Sequence, residues 1–278
     1  MQNKTMKNQW DYVKMVFVLI MPFLLMGSSG LKAADFPLRA KYPTTNPIST
    51  AELNEQFNNY IIIDVRSRFE FEVIHVAKAE HASIAKMTFA NDLLKITGNN
   101  KQKAIAFYCN GITCAKSYKA AVKAGKLGYT NSRVYDSGIF EWTQAYPSKS
   151  VLLGKSPVDP SKLIPKSELK KKMIEKDEFA KRSNGADAVL FDLRDPMQRI
   201  KNPVFPQKAI RIDMDKFVKN LENQQFLKTI ENKEMYIFDA VGKQVGWLQY
   251  YLEEKNIKNY TFLQGGAWSF FGAKGASN

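Results

Sequence analysis

Ile105-Ala106-Phe107-Tyr108-Cys109-Asn110-Gly111-Ile112-Thr113-Cys114-Ala115-Lys116-Ser117 is the stretch that decides how this chain reads. Four apolar residues end in a cysteine and a short glycine-containing turn follows. Tyr118, Ala121 and Val122 then share one helical stripe before Gly125 and Gly128 stop it. This order predicts a buried strand that delivers Cys109 into a turn closed by a helix N-terminus. Backbone N–H groups and the positive helix end both favour a thiolate in that position, so Cys109 is the candidate nucleophile and is expected to be accessible. The alternative is a small buried hydrophobe, the usual state of a free cysteine.

Working outward, the chain repeats itself. Ile61-Ile62-Ile63-Asp64-Val65-Arg66 is echoed 128 residues later by Val189-Leu190-Phe191-Asp192-Leu193-Arg194, and Ser137-Gly138 before Trp142 recurs as Gly265-Gly266 before Phe270. Between these marks, Cys109 corresponds to Asp239, which follows Met235-Tyr236-Ile237-Phe238. Val245, Leu248 and Leu252 form the apolar stripe of the second half. Each half reads strand, loop, helix, strand, helix. That order suits an α/β fold of parallel strands with crossover helices on both faces. Residues 148–165, flanked and interrupted by prolines, read as a semi-rigid connector.

At 278 residues, with 45% apolar and 24% charged content, the chain has material for two globular domains. Residues 1–33 read as an export signal: Lys4, Lys7 and Lys14 precede the apolar run from Met15 to Met26, and small residues follow up to Ala33 and Ala34. This predicts a periplasmic or secreted protein that touches the membrane only if the segment stays uncleaved; no cysteine stands near the cut to carry a lipid. Removing the segment takes the formal charge from +14 to about +11. A basic exported protein attracts anions such as sulfur oxyanions, polysulfide or an acidic membrane surface. Nucleic acid is not an expected partner, because the lysines are scattered without stacking aromatics. Lys170-Lys171-Lys172 reads as a solvated helix surface.

Asp64-Val65-Arg66, Glu70-Phe71, His75-Val76-Ala77-Lys78-Ala79, Tyr108-Cys109 with its loop, then Gly138 and Trp142, together resemble the rhodanese (sulfurtransferase) domain. The two halves resemble a tandem rhodanese over about residues 48–272. The resemblance implies a catalytic domain at 48–147, the linker at 148–165 and a non-catalytic domain at 166–272. It also implies a five-stranded mostly parallel sheet in each domain, and a Cys109 persulfide that passes sulfane sulfur to an acceptor. A cradle of backbone amides over Asn110, Gly111, Ile112, Thr113, Cys114 and Ala115 can hold such an anion without a metal or cofactor. Thr113 adds a hydroxyl to the rim or else caps the helix. Cysteine phosphatases of related architecture use a loop one residue longer that ends in arginine. Positions 110–117 contain no arginine, and Lys116 is a point charge without the bidentate fork. Arg66 is a structural partner of Asp64 or an anion contact, and Lys116 is a second candidate anion contact.

Two departures from the family pattern matter. Many sulfurtransferases have an arginine five residues after the nucleophile, where this chain has Cys114. The two thiols could close a disulfide, Cys114 could attack the persulfide, or Cys114 could simply pack beneath the first helical turn. The second departure is Asp239, a carboxylate that cannot form a persulfide and would repel a sulfur anion, so the second half is expected to be inactive; the plain role of Asp239 is a helix cap. His75 and His81 are not spaced to bind metal with the thiols. Trp142 and Trp268 read as core anchors. The expected function is sulfur transfer from thiosulfate or polysulfide to a thiol, including a protein thiol, or to a cyanide-like acceptor. The alternatives are a carrier or interaction module without turnover, and dithiol–disulfide exchange by Cys109 and Cys114.

Overall fold

The β-branched and aromatic runs legible in the sequence become short parallel strands buried on both faces, as expected where helices cover both sides of a sheet. A computed structural model describes residues 36–201 and 208–271; the signal-like segment lies outside them. Its strands are β1 (Ile61–Asp64), β2 (Ile74–Val76), β3 (Glu80–His81), β4 (Ile105–Tyr108), β5 (Ser132–Tyr135) and β6 (Ser150–Leu152) in the first half. The second half contains β7 (Met173–Ile174), β8 (Ala188–Asp192), β9 (Ile210–Arg211), β10 (Glu234–Phe238) and β11 (Tyr260–Leu263). The chain is α/β, with one parallel sheet in the order β3-β1-β4-β5 and another in the order β9-β8-β10-β11-β7.

The two sheets share one register at their centres. Asp64 stands opposite Tyr108 and Asp192 opposite Phe238, so Cys109 and Asp239 each leave the carboxyl end of the central strand at the same point. The first sheet has four strands, not the five expected. Where the fifth would lie, on the outer edge of β5, Pro47 makes only an isolated bridge to Val134. Val134 bonds to Asn46 and Ile48 on either side, each at 2.9 Å. These two bonds make one bridge and no strand. In the second half β7 fills the corresponding edge.

Residues 148–165 fold back on the first half. Strand β6 pairs antiparallel with β2, and the Ile164 N–H donates to the Tyr250 hydroxyl at 3.0 Å. The halves meet where helix Val245–Glu254 packs on helix Arg68–Val73: Tyr251 stacks on Phe69 with centroids 5.8 Å apart, and Trp247 stacks on Phe140 at 5.6 Å. Trp142 is the expected anchor, fully buried, with its indole N–H donating to the Lys149 carbonyl at 3.0 Å. Trp268 is not an anchor and remains 39% exposed. It lies 128 residues after the half-buried Phe140 rather than after Trp142, and so takes the outward position of its short 3-10 turn. No helix among the described residues is long and apolar enough to cross a membrane.

Candidate active site

Cys109 emerges from β4 between two backbone contacts that fix the loop. Its carbonyl accepts the Ile139 N–H at 3.0 Å, and the Cys114 N–H closes the turn onto the Gly111 carbonyl at 2.9 Å. Gly138 must be glycine here. At φ +79°, a Cβ on it would lie 2.3 Å from the Gly111 nitrogen and 2.5 Å from the Asn110 carbonyl carbon. The helix that follows spans Lys116–Lys126, starting where the sequence places it.

The sulfur is not accessible in the way the sequence suggested. Cys109 is only 1% exposed, packed among Ile63, Phe107 and Tyr118, and it is paired with Cys114 in a disulfide whose Cα atoms are 6.4 Å apart. The strand end sinks the sulfur below the rim, and Cys114, half-buried in the loop just before the helix N-cap Ala115, bridges across it. The Ser117 hydroxyl lies 3.5 Å from the Cys109 Sγ and is fully buried. Thr113 sits exposed at the rim and does not cap the helix, whose N-cap is Ala115 without a side-chain bond. Asn110, Gly111, Ile112 and Ala115 complete the turn at intermediate exposure.

Beside this turn lies a charged cluster. Arg66, fully buried, bonds to both Asp64 oxygens, donates from Nη2 to the Ile74 carbonyl and places Nη1 3.1 Å from the Asn110 Oδ1. Burial works against the guanidinium charge, but the Asp64 carboxylate wins, and the pKa of Arg66 is raised. Arg66 is therefore engaged as the buried ion partner of Asp64. Lys116 pairs with Glu70 at 3.3 Å and stays partly exposed. Glu70 completes a capping box with Ser67 and receives the Asn110 Nδ2 at 2.9 Å. Burial pushes its pKa up; Lys116, Arg66, Asn110 and Ser67 outweigh that and hold it at about 2. Asn110 is thus gripped from both sides by Arg66 and Glu70.

The second half shows the same loop with a different occupant. The Ala267 N–H donates to the Asp239 carbonyl at 2.9 Å, as Ile139 does to Cys109. Asp239 does more than cap the helix in the ordinary way. Its buried carboxylate accepts from Val241 at 2.8 Å and Val245 at 3.1 Å, and also from the N–H groups of Gly242 and Gln244. Burial raises its pKa, with the four N–H bonds opposing. Gly266 matches Gly138: at φ +60° its Cβ would lie 2.5 Å from the nitrogens of Gly242 and Val241. Asp192 and Arg194 repeat the Asp64–Arg66 pair at 2.8 Å.

Residues 49–145 match the family model of the rhodanese-like domain. The match includes the Asp64–Arg66 pair, the Cys109 loop and Gly138, and ends before the connector. No curated protein matches the chain at a significant level. Among solved structures, a Bacillus halodurans crystal structure is 20% identical over 48% of this chain and 94% of its own, with a TM-score of 0.37. The thiosulfate sulfurtransferase of Pseudomonas aeruginosa is 16% identical over 82% of this chain and 43% of its own, also at 0.37. A human single-domain sulfurtransferase is 21% identical over 36% of this chain and 96% of its own, at 0.32.

Sequence reading missed three contributors. Glu70 was legible as half of a Ser67-x-x-Glu70 capping box, but not as the clamp on Asn110. Ser117 was hidden in the helical pattern. Trp247, from the other half of the chain, lies over Arg66 with 5.3 Å from guanidinium to ring centroid, a contact that no local pattern announces. A groove of about 750 Å³ between residues 161–165 and helix Val245–Glu254 is lined by none of residues 109–117.

Proposed function

We propose that the chain is an exported tandem rhodanese in which the first half moves sulfane sulfur through Cys109 and the second half has lost that chemistry. The observation that carries the reading is the pair of equivalent loops: each leaves the central strand and closes on a glycine turn, one with a thiol at its head and the other with a carboxylate that its amides already hold. A loop that seats a carboxylate on four main-chain N–H groups is the kind of loop that can seat a persulfide anion. Asp239 cannot be sulfurated, so the work falls to Cys109.

The Cys109–Cys114 disulfide must first be reduced by an external dithiol, which is oxidised in turn. The Cys109 thiolate then attacks the outer sulfur of thiosulfate. One S–S bond forms, the S–S bond of thiosulfate breaks, and sulfite leaves with the electron pair. Polysulfide reacts in the same way, and a thiol or cyanide-like acceptor takes the outer sulfur from the persulfide. The formal charge of about +11 without residues 1–33 favours encounter with such anions. The test is intact mass after reduction, removal of reductant and incubation with thiosulfate or polysulfide. A gain of one sulfur is expected in the wild type and in Cys114→Ala, but not in Cys109→Ser; no gain with either donor refutes the reading.

The disulfide itself favours a second reading, dithiol–disulfide exchange. It would show as exchange with a protein dithiol that Cys109→Ala and Cys114→Ala abolish equally, with no sulfur retained.

A further inference from the structure

The half without a nucleophile sends one side chain to the site in the other half. The Arg66 guanidinium lies between two rings, Tyr108 from its own sheet at 5.8 Å and Trp247 at 5.3 Å, and Trp247 is held by its stack on Phe140. With Asp64 and the Ile74 carbonyl taking the other donors, Nη1 is left for the Asn110 side chain, the residue next to Cys109. The Asn110 amide can satisfy both neighbours in one orientation only, with Oδ1 towards Arg66 and Nδ2 towards Glu70. A guanidinium face covered by an aromatic ring is shielded from water, which would otherwise compete for Nη1.

We propose that Trp247 is a positioning residue for the Cys109 loop: by covering Arg66 it keeps the Arg66–Asn110 bond dry, and so fixes the turn that begins at Cys109. The second half is then a working part of the site and not a bystander. The proposal extends the sulfur-transfer reading, but its primary measurement does not depend on sulfur loading. Loss of the clamp frees the turn, Cys109 shifts relative to the buried Ser117 hydroxyl 3.5 Å from its Sγ and to the start of helix Lys116–Lys126, and the thiolate becomes harder to form.

The experiment uses the full chain in a Cys114→Ala background, so that Cys109 is the only thiol. Ultraviolet thiolate absorbance is titrated as a difference against the same chain carrying Cys109→Ser. Trp247→Leu, which stays apolar but lacks the ring, is expected to raise the Cys109 pKa by about one unit, about tenfold less thiolate at a given pH below it. Trp247→Phe, which restores an aromatic face, should recover most of that shift. Asn110→Ala should give a similar rise by itself, and the double variant should go no further than Asn110→Ala, since both act through one bond. An unchanged titration in Trp247→Leu, or shifts that add in the double variant, would overturn the proposal. Thiosulfate loading is followed in parallel by mass. If no variant loads, the wild-type loop included, sulfur transfer fails while the titration still decides the role of Trp247.

Discussion

Gly138→Ala tests the contact that closes the Cys109 loop, and a second glycine provides its control. Gly98 and Gly138 have similar left-handed φ values, +61° and +79°, but differ in their surroundings. A Cβ on Gly98 meets nothing within 4 Å, so Gly98→Ala should cost only the backbone term of about 1–2 kcal/mol. A Cβ on Gly138 meets the Gly111 nitrogen at 2.3 Å and the Gly111 Cα at 2.5 Å. These are backbone atoms with no side-chain rotation to relieve the overlap. The overlap adds about 1–3 kcal/mol, typical of overpacking, for a total of about 2–5 kcal/mol. Urea unfolding followed by the fluorescence of buried tryptophan, with the midpoint compared between the two variants, measures the difference. The same Gly138→Ala protein should lose the Ile139–Cys109 backbone bond, read as faster hydrogen exchange at Ile139. If Gly138→Ala proves no more costly than Gly98→Ala, the close packing of the glycine turn on the cysteine loop is wrong.

Three further outcomes follow from the same structure. Glu70 has its pKa depressed from 4.5 to about 2, so its contribution is present above pH 4.5 and is lost as pH falls towards 2. The loss should be about 3 kcal/mol on an acid unfolding curve, and Glu70→Gln should flatten that limb while lowering stability at neutral pH. Asp239→Ala leaves four N–H groups without their acceptor; hydrogen exchange at Val241, Gly242, Gln244 and Val245 should accelerate and the second half should lose about 1–3 kcal/mol, and unchanged protection would show that the carboxylate does not hold that loop. Trp142→Ala should cost about 3–5 kcal/mol by denaturant titration and Trp268→Ala clearly less; equal costs would contradict the difference in their burial.

Much of this molecule was legible before any coordinates. Local pattern carries strands such as Ile61–Asp64 and Glu234–Phe238, because a strand buried on both faces must be apolar throughout and its end must change to turn chemistry. The expected repeat aligns Cys109 with Asp239, and both residues follow the central strand of a parallel sheet at the same register point. The glycine turns at Gly138 and Gly266 were marked in the sequence by position; their positive φ and the backbone packed against each are what exclude a Cβ there.

Tertiary structure alone decided how the sulfur sits. The residues of 109–117 specify a turn and a helix start but not how deep the strand end lies, and that depth comes from Ile63, Tyr118 and the covering Ile139 turn, which arrive from separate elements. It also decided that Lys116 meets Glu70 and Arg66 meets Asn110, that residues 46–48 add only a single bridge to the first sheet, and that Trp247 crosses from the other half to cover Arg66. These are contacts between segments far apart in the chain, and a one-dimensional pattern does not encode which distant side chain will fill a given space.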